Sequence, residues 1–135
     1  MKPYSPLVAT SLLTLLLLTF HLADDVVRGL AAGGLSNITV ILISAVWLYG
    51  TLILGERLAG RIVMLLGGVA GTGASVIHMT RAGMVGGRIA HTDGMRFWVW
   101  TLLATGAFGV FSGALAVREL WLRRSATGLA AVRGR

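Results

Sequence analysis

The side chains in this sequence able to do chemistry are few. They are the histidines His21, His78 and His91 and the carboxylates Asp24, Asp25 and Asp93 that lie near them along the chain. His21 and Asp25 are four residues apart, so on a helix they share a face, with Asp24 flanking the pair and Arg28 one turn further on to compensate the acid. His78 comes one turn before Arg81. Imidazole and carboxylate are borderline nitrogen and oxygen donors, and His21, Asp25, His78 and His91 together suit zinc, copper or a similar divalent metal. Two facing histidines can also bind haem axially, and a histidine beside a carboxylate can pass protons or sense pH. No spacing here is diagnostic of one chemistry. All three stand against a plainer reading, in which His21, Asp24, Asp25 and Arg28 form an interfacial salt-bridged helix end and His91 is a loop residue.

The chain has no cysteine, which removes disulfides, thiolate metal sites and thiol catalysis. The serines and threonines near His21 form no motif for nucleophilic catalysis. The sequence therefore reads as non-catalytic.

The elements that must carry these residues follow from where charge is missing. With 56% hydrophobic residues and a mean hydropathy of +0.82, the chain holds more apolar surface than a soluble domain of 135 residues can bury. Charged residues fall in clusters separated by four uncharged stretches, Pro3 to Ala23, Gly29 to Gly55, Ile62 to Thr80 and Phe97 to Val117. As helices rising about 1.5 Å per residue, such stretches cross a hydrocarbon core of about 30 Å with every backbone hydrogen bond satisfied internally. The expected fold is an all-α, integral membrane four-helix bundle with up-down-up-down topology, its spans near 6–23, 37–55, 62–80 and 97–117, followed by a basic cytoplasmic tail over 118–135. The first stretch is expected to be retained, because a signal-peptide cut needs small residues and only Ala23 supplies one.

Four passes put both termini on one side, and the cations choose which. Lys2, Arg57, Arg61, Arg118, Arg123, Arg124, Arg133 and Arg135 lie on the terminal side, against Arg28, Arg81, Arg88 and Arg96 on the other. The bias places the termini in the cytoplasm, as in a bacterial inner membrane protein. It gathers all three histidines on the extracytoplasmic face. The formal charge of +7 is then a topology and headgroup signal, and nucleic acid is not an expected partner. Trp121 marks one interface, Phe97, Trp98 and Trp100 mark the other, and the tail is expected to fray after Ser125. Asn37-Ile38-Thr39 matches a glycosylation pattern but abuts the membrane, where it is not expected to be used.

Helices in lipid associate through small residues and interhelical polar contacts. Gly67, Gly71, Ala74 and Ser75 share one face of the third span, and Thr105, Gly109, Ser112 and Ala116 share one face of the fourth, so these two helices are expected to pack closely. On the first span Thr10, Thr14, His21, Asp24, Asp25 and Arg28 occupy one arc, which should face protein. Gly29, Gly33 and Gly34 break the first loop, with Ser36 or Asn37 capping the next helix. Glu56 to Arg61 forms a short turn in which Arg61 is the expected partner of a neighbouring acid. The glycine-rich third loop runs from Arg81 to Arg96, with Thr92 or Asp93 as cap.

The leading expectation is a small non-catalytic membrane subunit, packed against itself in a homo-oligomer or against a partner in a membrane complex. The alternative is metal or haem binding, or proton-linked transport, through the His/Asp cluster. The mid-membrane positions offer only hydroxyls, such as Thr14, Ser44, Thr51, Thr72 and Thr105, so a conducting monomer is not expected. What separates the readings is whether His21 and His78 converge, because side chains more than about 10 Å apart cannot share a metal bound at about 2 Å.

Overall fold

The chain is seen in a computed structural model that describes residues 5–29, 31, 37–82 and 95–133, with the side chains of 81, 82 and 126–133 outside the description. Four helices make up the described residues, with no strand among them: α1 Pro6–Val27, α2 Ile38–Leu52, α3 Leu58–Ala82 and α4 Met95–Arg133. Local chemistry sets their ends. Ser5 caps α1 by accepting a hydrogen bond from the Val8 amide at 3.3 Å, and Pro6 occupies the first turn, where its missing N–H costs nothing. At the other end the backbone turns left-handed at Gly29, with φ +69°, a conformation that glycine adopts without a steric penalty. Asn37 stands at the start of α2, but its side chain makes no capping bond.

Three helices, α1, α3 and α4, are long and apolar enough to cross a membrane, whereas α2 is a shorter apolar helix of 15 residues. The expected second span to residue 55 ends at Leu52 because the chain turns over 53–57, where the Arg57 amide donates to the Leu54 carbonyl at 2.8 Å. α3 then starts at Leu58, four residues before the expected span. α4 does not fray after Ser125 but continues to Arg133, through residues that mostly favour helix.

The distribution of side chains is that of a multi-pass membrane protein. Leu16, Phe20, Ile41, Leu42, Val46, Leu66, Val69, Val110 and Phe111 point outward, while the interior holds Thr10, Ser11, Thr14, Thr51, Ser75, Thr101, Thr105 and Ser112. Most of these hydroxyls donate to the carbonyl one turn earlier, which satisfies the proton locally and leaves lone pairs for a neighbouring helix. Thr51 uses that capacity: with its proton on the Trp47 carbonyl, its Oγ1 accepts from Ser11 Oγ at 3.0 Å, and Ser11 Oγ in turn accepts from the Trp47 indole at 2.8 Å, tying α1 to α2.

α3 is the central helix and touches the other three. The expected packing of α3 on α4 is present, and the same small residues also serve the other helices. Gly67 lies against the Trp47 ring of α2, Gly71 sits between Thr14 of α1 and Thr105 of α4, and Gly68 lies against the α4 backbone. A Cβ at Gly68 would stand 2.7 Å from the Gly109 carbonyl oxygen and 2.8 Å from the Gly113 nitrogen, so backbone meets backbone there. Ser75 strengthens the same contact by donating to the Leu102 carbonyl at 2.7 Å. Ala116 packs with Leu7, Val8 and Met64 in an apolar cluster, and Met95, Trp98 and Leu102 form a second. Ser112 is buried, with no hydrogen-bond partner for its Oγ.

Two arginine ion pairs tie down the helix ends. Arg61 reaches across to Glu119 of α4 at 2.7 Å, an acid distant in sequence, and Arg28 pairs with Asp24 at 2.7 Å, in keeping with a salt-bridged end of α1, leaving Asp25 to other partners.

Candidate metal centre

Two helices, α1 and α3, bring His21, Asp25 and His78 together. On α1, the i, i+4 spacing stacks His21 and Asp25 on the inward face, where both are buried. His78 lies on α3 one turn beyond Ser75, on the face that Gly71 and Ser75 hold against α1 and α4. Its side chain is 40% exposed, against 3% for His21 and 10% for Asp25. The group therefore has a closed inner side and an open outer one.

The donor atoms converge. His21 Nε2 is 3.7 Å and His78 Nε2 is 3.9 Å from the same carboxylate oxygen, Asp25 Oδ2, and one ligand atom from each residue lies within 4.8 Å of the others. The two imidazole rings stand 5.3 Å apart between centroids and almost perpendicular. The three residues can thus hold a metal ion. A tetrahedral ion with bonds of about 2.1 Å needs ligand atoms about 3.4 Å apart, a contraction within the reach of side-chain rotation.

Hydrogen bonding on the outer atoms decides which lone pairs face inward. His78 Nδ1 lies 2.8 Å from the Ala74 carbonyl, which can only accept, so Nδ1 carries the proton. His21 Nδ1 lies 3.3 Å from Thr101 Oγ1, whose own proton goes to the Phe97 and Trp98 carbonyls at 3.1 and 3.0 Å. Thr101 is then an acceptor, and His21 Nδ1 also carries the proton. The Trp98 indole donates to Asp25 Oδ1, leaving Oδ2 turned toward the histidines. In neutral imidazoles both Nε2 atoms present lone pairs to a carboxylate oxygen. His21 Nε2 is buried without a hydrogen-bond partner. Three electron-rich atoms this close together suit a metal ion, or a proton on one imidazole that pairs it with Asp25, and outer nitrogens held by hydrogen bonds are what orients a histidine as a metal ligand.

Haem does not fit this arrangement. Two axial imidazoles must face each other across a macrocycle, yet here a carboxylate oxygen lies within 4 Å of both Nε2 atoms, where the macrocycle would have to pass.

Of the other sequence candidates, Asp24 is held by Arg28 beside the group, and Arg81 lies in α3 with its side chain outside the description. His91 and Asp93 lie outside the described residues. Two members were missed. Trp98, read from sequence as an interfacial anchor with Phe97 and Trp100, is buried with its ring 5.0 Å from that of His21, while Phe97 and Trp100 are exposed. Thr101 is the second. Extending the Thr105, Gly109, Ser112 face back by four and seven residues reaches Thr101 and Trp98, a signal that was present in the spacing.

Comparison of the chain with protein-family models, with curated proteins and with solved structures returned no match. The centre is therefore read from its own geometry.

Proposed function

We propose that this chain is a small, non-catalytic multi-pass membrane protein that binds one divalent transition metal, zinc or copper, through His21 Nε2, Asp25 Oδ2 and His78 Nε2. The observation that carries the reading is the convergence of these three atoms, with His21 Nε2 buried and unpartnered and both Nδ1 protons committed elsewhere. Two nitrogens and one oxygen suit a borderline ion, and the exposed side of His78 leaves a fourth position for water or for a ligand of a partner protein.

The arrangement in the membrane is part of the proposal. The helices run up-down-up-down, a reading supported by Leu7 of α1 clustering with Met64 and Ala116 while His21 meets His78 and Thr101. The excess of Lys and Arg on the side of the termini supports an N-in, C-in orientation in an inner membrane, with the metal centre at the extracytoplasmic rim. The centre opens outward, and in this reading it holds or hands over an ion, alone, as a homo-oligomer or beside a larger membrane partner.

Cobalt(II) titration of the full chain in mild detergent tests this. One equivalent per chain is expected, with the intense visible bands of a near-tetrahedral N/O site, lost in His21→Ala and His78→Ala and displaced by zinc. Unchanged tight binding in either variant would remove these residues as ligands.

A further inference from the structure

At the end of the bundle away from the histidines, a cavity of about 1040 Å³ opens between the start of α1, the 53–57 turn, the first turn of α3 and α4. Arg57, Arg61 and Arg123 line it, against Glu56 and Glu119. Arg61 is the most deeply set: its Nε donates to Glu119 at 2.7 Å, but its Nη1 is buried with no hydrogen-bond partner. A buried guanidinium donor without an acceptor carries an uncompensated desolvation cost, and its charge adds to the positive wall of the cavity. Arg123 is fixed at the rim by donating to the Glu56 carbonyl at 2.6 Å, and Arg57 has no ion pair among the described residues.

We propose that this cavity binds a phosphate group, with the headgroup of an anionic phospholipid as its natural source. Arginine forks match phosphate oxygens, and basic pockets between membrane helices take anionic headgroups. The wall favours a lipid over a free ion, because Leu52, Ile53 and Leu122 line the cavity and are also exposed on the apolar outside of the bundle, where an acyl chain would continue from the headgroup. Ser5 and Thr51 add hydroxyls for the remaining oxygens. The site shares no residue with the metal centre, so either proposal can fail without the other.

The test uses the delipidated full chain in neutral detergent, titrated with short-chain phosphatidylglycerol, with phosphatidylcholine and with inorganic phosphate, and read by native mass spectrometry and thermal unfolding. Phosphatidylglycerol is expected to saturate at one per chain, about tenfold tighter than phosphatidylcholine. The double variant R57Q/R123Q should weaken it about tenfold, and E56Q, which removes a competing negative charge at the rim, should tighten it about threefold. Displacement by millimolar inorganic phosphate would identify free phosphate as a second source, and its failure would leave the lipid alone. If neither phosphatidylglycerol nor inorganic phosphate binds saturably, or if binding ignores both the double variant and E56Q, the proposal is overturned.

Discussion

At the residue scale, the proposed metal centre would depend on atoms that never touch an ion. The Trp98 indole orients Asp25, and Thr101 holds the proton of His21 on Nδ1. Removing such support around a metal costs about 10- to 100-fold in affinity. Trp98→Phe and Thr101→Val are therefore expected to weaken zinc about tenfold or more while keeping one equivalent per chain, measured by competition with a chromophoric chelator. Asp25→Asn, which replaces a charged ligand by a neutral one, should weaken it further. The grouping of these side chains was legible in the sequence, because His21 and Asp25 are one turn apart and His78 lies one turn beyond Ser75 on the small-residue face of the third span. Trp98 was not, because a Trp beside Phe97 and Trp100 at the end of an apolar stretch also has the signature of an interfacial belt, and only its rotation toward Asp25 separates the two roles.

At the scale of the helix, the glycines are the most informative residues. Periodicity identified α3 and α4 as small-residue helices that pack closely, but not that Gly67 meets Trp47 of α2 or that Gly71 meets Thr14 of α1 as well as Thr105 of α4. A helix surrounded by three neighbours presents successive small residues to different ones, and a one-dimensional pattern does not record which. The close contact of α3 with α4 at Gly68 predicts that Gly68→Ala destabilises the protein by about 1–3 kcal/mol, since a new methyl would meet backbone that has no rotamer to change. Gly73→Ala, with nothing within 4 Å of its added methyl, should be neutral in the same detergent unfolding assay. Ser11→Ala should cost about 1 kcal/mol by leaving the buried Trp47 N–H unpaired.

At the scale of the whole molecule, four apolar helices were legible from where the charges fall, while the shortness of α2, expected as a full span, and the helix ends were not. Arg57 and Arg61 were read together as a turn, but a long cation can lie inside a helix and reach outward, as Arg61 does toward Glu119. The absence of cysteine makes the proposed orientation directly testable, because each introduced thiol is the only one in the chain. In intact cells, Ser5→Cys and Ser125→Cys are expected to be shielded from a membrane-impermeant maleimide and Asn37→Cys to react. Labelling of Ser5→Cys from outside would reverse the orientation, and different sides for Ser5→Cys and Ser125→Cys would exclude four passes.

The length of α2 carries a further consequence. Its 15 residues reach only about 22 Å, some 8 Å less than a typical hydrocarbon core, while the helices beside it are long enough to cross in full. Lipid along that flank must either thin toward the helix or be replaced there by protein, and each ångström of mismatch has an energetic cost. In bilayers of increasing acyl-chain length, the protein should therefore shift from solitary particles toward self-association along the α2 side. That makes bilayer thickness a control on assembly that acts far from the imidazoles.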